Sequence, residues 1–173
     1  DKEFIWLGIL AVREEYLATQ HVTKFLDAGG SSEEVITATQ LAAIARGVGS
    51  LSFAIQYWSA QVPEINGPAY YLDTLLKLTH GTPVQDSLLH LSMCAIHTSL
   101  QNWEALKWHL SWAYDMKIRE SFIAEALTYS MFTGSIPFFI EGCEVWRSMI
   151  ENGELDATQP FKLWASTDQS GPT

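Results

Sequence analysis

Helix start and stop signals recur along the whole chain, while no segment alternates apolar and polar residues with a period of two. A strand needs that alternation to bury one face, so its absence removes sheets and leaves helix packing as the only source of a core. The spacing predicts a first helical stretch over 1–28, stopped at Gly29-Gly30, with a possible break at Arg13-Glu14-Glu15. Ser31 and Glu34 have capping-box spacing and open a helix to about residue 45, before Gly47-Val48-Gly49 breaks the chain. A short helix from Ser50 ends near residue 60, and Pro63 with Asn66-Gly67-Pro68 forms a connection to a helix over 68–80 that closes on Gly81. Thr82-Pro83 reads as an N-cap with proline at the first helical position of a helix reaching about residue 100. Further helices follow over 103–116, 119–133 and 136–151, the last stopped at Asn152-Gly153. The tail, 154–173, is polar and is expected on the surface.

Shifting the chain against itself by 88 residues aligns its halves. His21 falls on His109, Ala38 on Ala126 and Trp58 on Trp146, with conservative pairs such as Val35 and Ile123 between them. The expectation is an all-α single domain, 1–173, built from two tandem repeats at about 1–62 and 83–152. In this register the Pro83 helix start falls ahead of residue 1, which predicts a few residues upstream.

Composition limits the partners. Twenty acidic residues against ten Lys+Arg give a net charge of −10, which repels phosphate backbones and anionic lipid. No nucleic-acid or membrane partner is therefore expected, and no apolar run approaches the ~20 residues that span a bilayer. A hydrophobic share of 47% carried with only 17% charge predicts apolar surface buried between subunits, hence a homo-oligomer. Cys94 and Cys143 are far apart and form no CxxC, which suits a reducing, cytoplasmic setting with free thiols. The segment 1–12 has early charges of both signs and no small-residue cleavage site, so it does not read as a signal peptide.

Histidines carry the candidate chemistry. Glu14, Tyr16 and His21 form one group: Glu14 and His21 are seven apart and share a helix face if that stretch is continuous, and a carboxylate beside an imidazole suits acid–base work. His109 and Glu125 lie on successive helices and form the counterpart in the second half. Both sets can equally be a solvated helix end and a packed core histidine. His90, Cys94 and His97 make an i, i+4, i+7 stripe. The two histidines are ~10 Å apart along a helix axis, too far to close on one metal, so the stripe reads as a core face with histidines at its edges. No metal and no cofactor is implied.

Two ordered patterns point to a family. Trp103-Glu104-Ala105-Leu106 leads to His109 with Ala113 four residues on; Phe122-Ile123-Ala124-Glu125 follows, then Phe132-Thr133-Gly134 with Pro137 beyond. The first half has Arg13-Glu14-Glu15-Tyr16 before His21, then Gly29 and Glu33-Glu34-Val35. These stretches resemble the carboxymuconolactone decarboxylase and AhpD-like family. The resemblance implies an AhpD-like helical bundle, a trimer of double-repeat chains, and cofactor-independent decarboxylation or enolate chemistry on a small lactone acid or ketone. It puts the catalytic acid at His21 or His109, with Glu14, Tyr16 or Glu125 setting its protonation. The family's peroxidase branch carries cysteines seven and four residues before the histidine. Glu14 and Leu17 hold those places in the first half, Asn102 and Ala105 in the second, so a disulfide relay has no thiols there. Two other readings stay open: a non-catalytic oligomeric binding protein, predicting no pocket that unites a histidine and a carboxylate, and a peroxide-linked antioxidant protein using Cys94 and Cys143, predicting adjacent sulfurs.

Overall fold

In the computed structural model, residues 1–167 are described, and within them every regular element is helical. The elements are α1 (Lys2–Arg13), a 3-10 turn (Tyr16–Ala18), α2 (Gln20–Asp27), α3 (Ser32–Trp58), α4 (Gly67–Thr79), α5 (Asp86–Ser99), α6 (Trp103–Asp115), α7 (Glu120–Thr133), α8 (Ile136–Glu151) and α9 (Gln159–Ser166). Among these, no helix is long and apolar enough to cross a membrane.

Most punctuation acts as its chemistry dictates. Ser31 and Glu34 complete a reciprocal capping box at the start of α3. Asn66, Asn102 and Ser135 each accept a backbone N–H from the first turn of α4, α6 and α8. The break flagged at Arg13-Glu14-Glu15 divides the stretch over 1–28, because Glu14 takes a left-handed conformation (φ 57°) that ends α1, and its neighbour Glu15 returns its N–H to the Leu10 carbonyl. Three expectations are corrected. Gly47 and Gly49 do not break α3. Val48 between them is buried, and Arg46 reaches back to the Val12 carbonyl, so packing outweighs the ~1 kcal/mol each helical glycine costs. Pro83 precedes α5, whose N-cap is Gln85. The tail contributes α9, with Phe161 and Trp164 packed on Trp146; its last residues, 168–173, lie outside those described.

α5 is the axis of the molecule. It packs against α1, α3, α6, α7 and α8, and every residue from Leu89 to Ser99 is buried. α1 sits on α3 as α5 sits on α7, and one apolar core takes side chains from both halves, from Phe4 and Leu41 to Leu110 and Leu127. The helices flanking α5 face its polar side chains, and from Ser92 to Ser99 these side chains have no access to bulk water.

Candidate functional site

A helix buried on all sides must satisfy its polar groups internally. On α5 the short ones do so locally: Ser92, Thr98 and Ser99 each donate to a carbonyl of their own helix. His90 and His97 are too long for that and reach neighbouring helices. Nδ1 of His90 lies 2.9 Å from Nδ1 of His109 on α6. Nε2 of His109 lies 2.8 Å from the Tyr71 hydroxyl of α4, and that hydroxyl lies 2.8 Å from Nε2 of His97. The gap of two helical turns between His90 and His97 is thus bridged by an imidazole and a phenol in series. Trp112 stands edge-on to His109 at 5.1 Å and flat against Tyr71 at 6.3 Å, while Trp108 closes the side beyond Tyr71.

This row is dry. His97 and His109 have no exposed surface, Tyr71 keeps 2% and His90 6%. Burial penalises the cationic form of each imidazole. It lowers His90, against the pull of the Asp86 carboxylate, takes His97 down to about 3, and takes His109 well below its usual range, with its two histidine neighbours adding to the fall. Burial likewise pushes the Tyr71 phenol well above its ordinary value, and Cys94 adds to that rise. All four groups are therefore neutral near pH 7. Nδ1 of His97 has no hydrogen-bond partner. Among the described residues no group of three His, Cys, Asp or Glu is placed to hold a metal.

The residues singled out in sequence are distributed differently. His109 is the centre of the buried row; His90 and His97 are its ends, a correction to their reading as core-edge residues. His21 is on α2, where its Nδ1 lies 2.7 Å from a carboxylate oxygen of Glu3 and its ring stacks on Trp6. The carboxylate expected beside it, Glu14, instead pairs with Arg46 at 3.0 Å, because the break after Arg13 removes the shared helix face. Tyr16 is exposed on the 3-10 turn. Glu14 and Tyr16 line a cleft of about 320 Å³ whose other walls include Leu7, Leu10, Val22 and Val35. Glu125 accepts from the Tyr129 hydroxyl rather than from His109, and Tyr129 packs on the same Trp6 ring as His21. Cys94 and Cys143 are unbonded, the first sealed inside α5 and the second half-buried on α8 with its thiol raised to about 11 by burial. Sulfurs in this protonated state do not support a thiol relay. Among the described residues, five surface clefts have walls that contain no histidine.

Tyr71 has no counterpart in the sequence reading, which placed it simply on an amphipathic helix. A usable signal existed for the others: two long polar side chains on a helix whose remaining inner positions are apolar or small need partners, and His109 lies on the next helix. Comparison of the chain with protein-family models, with curated proteins and with solved structures finds no match in any of the three.

Proposed function

We propose that the chain is a cofactor-independent acid–base enzyme of the carboxymuconolactone decarboxylase type, acting on a small lactone acid or enolisable ketone. The observation that carries this reading is the unbroken hydrogen-bonded row His90–His109–Tyr71–His97, held neutral inside the protein. A neutral imidazole chain with one end open to solvent suits enolate chemistry. When a carboxylate leaves as CO2, its electron pair passes to a neighbouring carbonyl, and the dienolate must be stabilised and then protonated at carbon. A neutral N–H can stabilise the developing oxyanion near pH 7, and the proton for carbon can be made up along the hydrogen-bonded row, so that no imidazolate is left. His90, which alone of the three histidines retains solvent contact, is the group that would meet substrate, with His109 behind it. Access would pass the half-buried Trp112, which packs on both. This assigns the chemistry to the second half, since the first has Lys2 and Ile9 where His90 and His97 stand (90 − 88 = 2, 97 − 88 = 9).

The same reading includes an AhpD-like architecture of two tandem copies. The helix bounds support it: shifted by 88, α1 (2–13) falls on 90–101 over α5, α2 (20–27) on 108–115 at the end of α6, and the start of α3 at 32 on 120, the first residue of α7. The left-handed residues Gly29 (φ 93°) and Lys117 (φ 58°) are also 88 apart (117 − 29 = 88). Exposed Phe53, Tyr57, Trp58, Phe132 and Ile136 support a homo-oligomer, a trimer by the resemblance. Light scattering at micromolar concentration is expected to give a multiple of 19.4 kDa, and a clean single-chain species would refute it.

One observation favours a second reading, a non-catalytic binding protein of the same architecture: among the described residues, none of those five clefts has a histidine in its wall. The deciding experiment assays a panel of lactone acids and enolisable ketones with wild type and with His90→Gln, His109→Gln and His21→Gln, each checked for thermal stability. Loss of turnover by about 10²- to 10⁴-fold in His90→Gln, with folding intact, is the enzyme result. Activity that merely follows stability across the set would hand the case to the binding protein.

A further inference from the structure

Four neutral groups hold four mobile protons: one on each imidazole and one on the phenol. They make three hydrogen bonds to one another, and each bond takes one proton. The fourth proton must then sit at one of the two outer nitrogens, Nε2 of His90 or Nδ1 of His97. Two observations choose between them. A proton on Nδ1 of His97 would be an N–H sealed in the core with no acceptor, an arrangement proteins avoid. The other end retains solvent contact and feels the carboxylate of Asp86, which attracts a proton. The resting order is therefore fixed throughout: His97 Nε2–H donates to the Tyr71 oxygen, Tyr71 O–H donates to His109 Nε2, His109 Nδ1–H donates to His90 Nδ1, and His90 Nε2–H faces outward.

From this order, and resting on the acid–base reading above, we propose that Tyr71 is the proton reservoir of the site, supplying through two histidines the proton that His90 delivers. As His90 Nε2–H breaks and a C–H bond forms on the substrate carbanion, the proton of His109 Nδ1 moves to His90 Nδ1. The Tyr71 hydroxyl proton moves to His109 Nε2. The substrate gains one proton and the row loses one, so the negative charge passes briefly to Tyr71, where burial disfavours the phenolate and drives its reprotonation. No imidazolate forms, and the phenolate accepts two N–H groups, from His109 Nε2 and His97 Nε2. A proton from water at His90 Nε2 then runs the shifts backward. His97 does not move its proton in this cycle; it aims the phenol toward His109 and holds the phenolate. Tyr71 and His97 are positioning residues, acting through His109 and His90, and their burial confines the proton's only exit to His90.

The test is a long-range proton–nitrogen correlation spectrum of the folded protein labelled with ¹⁵N-histidine at neutral pH, which separates a nitrogen bearing hydrogen from a bare one. The expected tautomers are Nε2–H for His97, Nδ1–H for His109 and Nε2–H for His90. The opposite set, or a cationic ring at any of the three, overturns the proposal. Tyr71→Phe supplies the second arm: turnover should fall by about 10²-fold or more while KM stays within about twofold, and the His97 and His109 signals should lose their single-tautomer pattern. Turnover that survives Tyr71→Phe overturns the reservoir and leaves the enzyme reading standing. The expected tautomers in a protein that turns over nothing on the panel keep the proton order and overturn the enzyme reading. If Tyr71→Phe does not fold, the wild-type spectrum decides alone.

Discussion

Acidification from pH 6 to pH 5 should cost this protein stability steeply, before most carboxylates begin to titrate. An unfolded histidine has a pKa near 6.5 and is about nine-tenths protonated at pH 5.5. In the folded state His97 stays neutral until about pH 3, and His109 is held well below its usual range too, since burial opposes charge on both. The folded pKa values are depressed, so through this window the unfolded chain binds more protons, and stability rises with pH and is lost as pH falls. One proton per molecule is worth ~1.36 kcal/mol per pH unit, so His97 contributes a loss of ~1.2 kcal/mol between pH 6 and pH 5. His109 and His90, both lowered by burial, add to that loss in the same direction. Against a total of ~5–15 kcal/mol for a domain, that is a large fraction. Urea titrations at quarter-unit pH steps would give the slope directly. A loss below ~1 kcal/mol across that unit would mean that the row takes up protons while folded, and the neutral-row argument would fail.

Three further outcomes follow from the packing. Gly47→Ala and Gly49→Ala should each raise stability by ~0.5–1 kcal/mol, because α3 runs straight through both and an added Cβ meets nothing within 4 Å; a lower melting temperature would contradict a continuous helix. Glu120→Ala should cost ~2–4 kcal/mol, since this buried carboxylate accepts from the Tyr114 hydroxyl at 2.8 Å and from both the N–H and hydroxyl of Thr158, the N-cap of α9; a denaturation curve within ~1 kcal/mol of wild type would show that α9 is held otherwise. In the native state at pH 8, Cys94 and Cys143 should react with a thiol reagent far more slowly than in the unfolded chain, as burial raises both thiols, and an immediate native-state reaction would revive a redox role.

How much of this was legible beforehand depends on the range over which each interaction acts. The capping box at Ser31 and Glu34, the caps at Asn66, Asn102 and Ser135, and the absence of strands follow from chemistry between residues three or four apart, and a sequence displays such neighbours directly. His109 was marked as a candidate because its flanking pattern was local too. The fate of Gly47-Val48-Gly49 was not local: two glycines argue for a break, and only the burial of Val48 and the reach of Arg46 to α1 reverse it. Glu14 looked like a partner for His21 until its own left-handed turn carried it to Arg46 and left His21 to Glu3, 18 residues upstream. The buried row lay furthest from view. Its links join residues 19, 38 and 26 apart on three helices, and each depends on where α4, α5 and α6 cross. The sequence by itself determined that the chain is helical, where most helices are capped, and that His109 was a candidate, while it left His90 and His97 at the edge of a core face. Only the tertiary structure decided what partners these histidines take, because hydrogen bonds between buried rings tolerate a few tenths of an ångström and helix packing alone sets distances that fine.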